Sequence, residues 1–168
     1  MEESRCCGSA VGTDLKNPGH ETISIEKARN TCAMCETYAS EQASKPIAVM
    51  CCEGGCLRGE IARQAANLVC HKLANDKTVR ICLGGAFTKD TGQRSLVRNA
   101  KELIALEGCF VECASRMMNG VIAGLKPRVI IADSLIEFDR NLFGIDQMTE
   151  DEIKTLALTV AEKVVKDL

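Results

Sequence analysis

The sequence predicts an α/β fold: a Rossmann-like parallel sheet with helices on both faces, preceded by a cysteine-bearing N-terminal extension. Three observations carry that reading. Short apolar runs alternate four times with segments of helical period. Each run ends at Gly, Cys, Glu or Asp, the residues of a tight turn or a site. Ser44-Lys45-Pro46 then separates this alternating region from a polar start. Strand and helix in alternation build a parallel sheet, because each return of the chain to the same edge needs a crossover that a helix supplies.

The elements follow in order. Residues 1–44 form the extension: Gly8, Gly12 and Asn17-Pro18-Gly19 predict a loose start, and a short helix is expected over about residues 24–42, carrying Cys32 and Cys35. Residues 45–168 form the main domain, an α/β cysteine-rich unit. Its first strand is Ile47-Ala48-Val49-Met50-Cys51, ending in the turn Cys52-Glu53-Gly54-Gly55-Cys56. Leu57, Ile61, Ala65 and Leu68 recur at helical spacing and continue into Cys70 to Leu73, with charged residues between them. Val79 to Leu83 reads as the second strand, closed by Gly84-Gly85. A helix is expected over 93–101, a third strand over 103–106, and another helix over about 111–123. Arg128 to Ala132 is the fourth strand, ending at Asp133-Ser134. The last helix opens on Thr149-Glu150-Asp151-Glu152, a capping-box sequence.

Composition narrows the function. Hydrophobic residues make up 46% of the chain but aromatics only 3%, so the core is aliphatic. Basic and acidic residues nearly balance, 21 against 23, which removes the electrostatic reason to bind nucleic acid or an anionic membrane surface. No apolar run approaches the roughly 20 residues of a membrane span, so no membrane insertion is expected. The outlying number is eleven cysteines. Secreted disulfide proteins reach such a density, but they are short and loop-rich. This chain starts Met1-Glu2-Glu3-Ser4-Arg5, without the apolar stretch of a signal peptide. Cytoplasmic thiols kept reduced for binding or reaction are therefore expected.

The position of those thiols is the informative feature. Cys52 and Cys56 follow the first strand, and Cys109 and Cys113 follow the third, two Cys-x3-Cys pairs on strand-to-helix turns. In an open parallel sheet the carboxyl ends of all strands share one edge, where ligands bind. Thiolate is the metal-binding form, and a helix N-terminus favours its charge. Soft sulfur selects zinc, copper(I), iron–sulfur clusters or metalloids. Glu107 and Asp133 end strands at the same edge and are candidates to support the ligands; a solvated strand-end carboxylate explains them equally well. Cys70, mid-helix, and Cys82, mid-strand, read as small core residues. Cys6, Cys7, Cys32 and Cys35 make a second or accessory metal site, complete the main one, or are simply exposed reactive thiols.

At Glu107-Gly108-Cys109-Phe110-Val111-Glu112-Cys113-Ala114 the chain resembles the DGC-domain family, zinc-binding proteins of bacteria and archaea named for an Asp-Gly-Cys motif followed by a second cysteine and a small residue. The turn Cys52-Glu53-Gly54-Gly55-Cys56, the helix residues Ile61 to Ala66 and the strand Pro127 to Asp133 resemble it too. Here Glu107 stands where the motif has Asp. The resemblance implies Cys52, Cys56, Cys109 and Cys113 as metal ligands, with Zn2+ as the ion.

The expected function is therefore thiolate binding of a soft ion, with zinc first, arsenite As(III) second and an iron–sulfur cluster as a further option. The role is that of a carrier (a metallochaperone passing its ion to a receiving protein) or a sensor, and catalysis is not required. Exposed thiols can also bridge two copies as a homodimer. Two rivals stand beside it. Cys52 and Arg58 have the Cys-x5-Arg spacing of phosphatases and arsenate reductases, in which backbone N–H groups cradle an oxyanion that the cysteine attacks. That spacing occurs here without an Asp-Pro pair for the general acid. The other rival is thiol redox or sulfur-transfer chemistry, for which Cys32-x2-Cys35 has suitable spacing.

Overall fold

The computed structural model describes residues 19–26 and 29–168. Cys6 and Cys7 lie outside the described residues. Four strands form one sheet: β1 (Ile47–Cys51), β2 (Thr78–Arg80), β3 (Glu102–Glu107) and β4 (Arg128–Ile131). Their spatial order is β2-β1-β3-β4, and every pair is parallel. The chain therefore leaves β1 toward β2 on one side and returns to β3 on the other. That reversal puts the topological switch point, where ligands bind in open α/β sheets, between the carboxyl ends of β1 and β3.

Among the described residues six α-helices surround the sheet: α1 (Ala33–Gln42), α2 (Leu57–Leu68), α3 (Leu83–Thr88), α4 (Gly92–Asn99), α5 (Cys113–Val121) and α6 (Glu150–Lys166). All five residues of β1 are buried, so each of its faces carries a core. Ile47, Val49 and Cys51 point one way, with Ile104 and Leu106 of β3, onto α2 and α6. Ala48 and Met50 point the other way, with Ala105, onto Ala39 of α1, Ala86 of α3, Leu96 of α4 and Met118 of α5. The period of two along the strand thus sorts the helices into two layers.

The element ends depart from the sequence expectation in particular places. Helix α1 begins at Ala33 rather than near residue 24, because Cys32 is extended (φ −77°, ψ 109°) and stands as the N-cap. Helix α2 runs on into a π turn over Val69–Leu73, where the Ala74 N–H reaches back to the Val69 carbonyl at 2.9 Å. Strand β2 ends at Arg80, and the segment from Leu83, Gly84-Gly85 included, is the helix α3. Two glycines there cost helix propensity, about 1 kcal/mol each. Burial of Leu83 and Ala86 against the second core offsets that cost. The capping box of α6 forms as expected: Glu152 N–H donates to Thr149 Oγ1 and Thr149 N–H to Glu152 Oε2. Among the described residues no helix is long and apolar enough to cross a membrane.

Candidate functional site

The strand ends at the switch point between β1 and β3 are joined by backbone. The Cys52 N–H continues the β1–β3 ladder to the Leu106 carbonyl at 3.0 Å, so Cys52 sits where the two strands end. Its side chain is buried at 5% exposure. The Gly54 N–H donates to Cys52 Sγ at 3.4 Å. A Cβ placed on Gly54 would lie 3.2 Å from Cys52 Sγ and 3.9 Å from Cys56 Sγ, so both sulfurs flank this glycine.

The β3–α5 turn presses against the start of α2. A Cβ on Gly108 would meet the Arg58 carbonyl and the Gly59 nitrogen at 2.8 Å, and one on Gly59 would meet the Gly54 carbonyl oxygen at 2.6 Å. Both positions need glycine because backbone passes backbone there. Behind the turn Glu107 is wholly buried. Its carboxylate accepts the Ser115 N–H (2.7 Å), the Ser115 hydroxyl (2.8 Å) and the Ala114 N–H (3.1 Å). These are free donors of the first turn of α5, and a carboxylate is favoured there by the helix dipole. The N-cap of α5, Glu112, is held in the left-handed region at φ 54°. This strained residue directly precedes Cys113.

Two thiols from different turns meet as a result. Cys52 and Cys113 lie close enough to act on each other electrostatically, and Cys109 lies within the same range of Cys113. Burial pushes the Cys52 thiol up to about 11, helped by Cys113 and Glu107 and opposed by the Gly54 and Gly108 N–H groups. Cys113 is raised as well, by burial first and then by Glu107 and Cys109. Neither thiol has the lowered pKa of an activated nucleophile. The donor set is soft, as a thiophilic ion requires, and it is gathered around Gly54 and the Gly108 turn. It is not closed: among the described residues no three His, Cys, Asp or Glu side chains converge tightly enough to hold a metal ion.

The remaining expected residues have identifiable surroundings. Asp133 accepts from Arg58 Nε at 3.2 Å and pairs with Arg140 at 3.1 Å, so it clamps two arginines. Arg58 donates from its other nitrogens to the carbonyls of Leu142 (3.1 Å) and Arg140 (2.8 Å), and stacks over Phe138. The guanidinium of the Cys-x5-Arg pattern is thus spent in tying the segment after β4 to α2. Cys70 is buried, as expected. Cys82 is not a core residue: it is exposed and stands as the N-cap of α3. Cys35 lies near both Cys32 and Cys82. Helix α1 is docked by Glu36, whose carboxylate accepts the Gly92 N–H at 3.0 and 3.1 Å, and by the Tyr38 hydroxyl on the Arg80 carbonyl.

Sequence reasoning missed Arg80, whose Nη2 reaches Cys51 Sγ at 2.8 Å and also pairs with Glu53. It occupied the middle of an expected strand, and nothing in a strand pattern marks an inward-turned cation. Together these features define a parallel α/β protein whose strand reversal carries cysteine thiols on two glycine turns that are neighbours in space. The DGC-domain profile matches residues 48–160, more than half of the 168-residue chain, and the chain belongs to that family. Comparison with curated proteins and with solved structures found no match.

Proposed function

We propose that the chain binds a soft metal or metalloid ion through Cys52 and Cys113, with Cys56 and Cys109 as the flanking ligands. Zinc is the first candidate ion, arsenite the second and an iron–sulfur cluster the third. The observation that carries the reading is the meeting of Cys52 and Cys113 from two different turns at the strand reversal.

The electrostatics favour an ion over a nucleophilic reaction. Both thiols rest protonated at neutral pH, which suits a resting site that resists oxidation and alkylation. A cation entering would displace the thiol protons, and the buried Glu107 carboxylate, which opposes thiolate, would favour the positive charge. Binding therefore releases protons and weakens as pH falls. The role is that of a carrier or sensor, with a receiving protein as the carrier's partner.

The test is zinc binding by variants under anaerobic conditions, followed by competition with a chromophoric chelator. Cys52→Ser and Cys113→Ser should each lose affinity by at least about a hundredfold, while Cys70→Ser should bind as the natural protein does. Equal affinity in all three would overturn the assignment.

A further inference from the structure

The geometry points to Cys32 and Cys35 as a thiol–disulfide exchange pair, Cys32 attacking and Cys35 resolving, that acts on a small disulfide from solvent. Cys32 is exposed and is the N-cap of α1, and Cys35 is three residues on, one turn along the same helix. That places both sulfurs at the positive end of a ten-residue helix, with Cys35 partly covered. Cys32 makes no side-chain cap bond, so its sulfur is open at the start of the helix. One thiol exposed, its neighbour partly covered one turn along, is the division of labour an exchange pair needs.

The helix that bears the pair is fixed to the domain. Glu36 caps α4 through the Gly92 N–H. A Cβ on Gly92 would lie 2.5 Å from Ala39 Cβ, so α1 and α4 are in close contact. A cavity of about 340 Å³ opens beside Cys35, lined also by Cys82, Glu53, His71 and Arg80.

The steps balance. Cys32 thiolate attacks one sulfur of the disulfide R–S–S–R, the S–S bond breaks, and R–S⁻ leaves and takes a proton from water. The Cys35 thiol then gives its proton to solvent and attacks Cys32 Sγ, releasing the second R–S⁻. The chain is oxidised by two electrons to a Cys32–Cys35 disulfide, and the substrate is reduced to two thiols.

The experiment treats the reduced full chain with hydroxyethyl disulfide under anaerobic conditions and maps disulfides by peptide mass spectrometry. Both positions are at least partly exposed, and circular dichroism would verify folding of each serine variant. The natural chain should form the Cys32–Cys35 disulfide. Cys35→Ser should accumulate a mixed disulfide on Cys32 about tenfold faster than Cys32→Ser accumulates one on Cys35. A Cys35–Cys82 disulfide in the natural chain, or equal trapping in the two single variants, would overturn the assignment.

Discussion

Glu107 and Ser115 are joined twice, the carboxylate accepting both the backbone N–H at 2.7 Å and the hydroxyl at 2.8 Å of the same serine. Through this pairing the last residue of β3 fixes the first turn of α5, and with it the position of Cys113. The carboxylate of the Glu-Gly-Cys motif acts on the site through the helix it caps.

Glu107→Gln keeps the shape of the side chain but turns one carboxylate oxygen into a donor facing an N–H group. A loss of about 1–3 kcal/mol of stability is expected. Chemical denaturation checks it, and a variant as stable as the natural chain would show that the cap is dispensable.

Gly108→Ala would force a Cβ to within 2.8 Å of the Arg58 carbonyl and the Gly59 nitrogen. The two turns would have to separate. The expected cost is about 1–3 kcal/mol, with weakened zinc binding because Cys52 and Cys113 move apart. Gly55→Ala, where nothing lies within reach of the added carbon, is the matched control and should change neither quantity.

Arg58→Ala breaks the bond to Asp133 and two bonds to carbonyls, leaving Asp133 with Arg140 alone. A destabilisation of about 2–4 kcal/mol is expected, without loss of zinc affinity at temperatures where the variant is folded. Loss of affinity for an oxyanion such as arsenate, with stability unchanged, would instead favour the Cys-x5-Arg enzyme.

Alkaline pH should unfold the protein progressively. Burial holds the Cys70 thiol at about 11, against 9.0 for a free thiol. The folded state therefore holds this proton more tightly than the unfolded one. The stability it contributes is complete below pH 9 and is lost as pH rises from about 9 through about 11. Each such thiol adds a slope approaching about 1.4 kcal/mol per pH unit in that window. Cys70→Ala should flatten the slope measured by denaturation at pH 8, 9 and 10; an unchanged slope would count against the buried-thiol account.

The sheet and its helix layers were legible because Ile47 to Cys51 and Leu103 to Leu106 are apolar runs bounded by glycine turns. The thiol edge was legible because parallel strands bring all their carboxyl ends to one side. Helix α3 was not, since Gly84-Gly85 reads as a breaker and only the buried Leu83 and Ala86 make it a helix. For the same reason Cys82 read as a strand residue, although it caps that helix in the open. Asp133 and Arg58 are 75 residues apart, and no local pattern marks such a pairing. The left-handed Glu112 was equally hidden, because glutamate gives no sign of a positive φ.

The most direct test of the central claim is thiol footprinting of the full chain, with and without a stoichiometric ion. Reduced protein would be mixed anaerobically with zinc or with arsenite, alkylated under mild denaturation, and mapped by peptide mass spectrometry. Protection of both Cys52 and Cys113 by one equivalent of either ion, with Cys70 and Cys82 unprotected, is the predicted result. Protection confined to other cysteines, or none by either ion, would contradict the account.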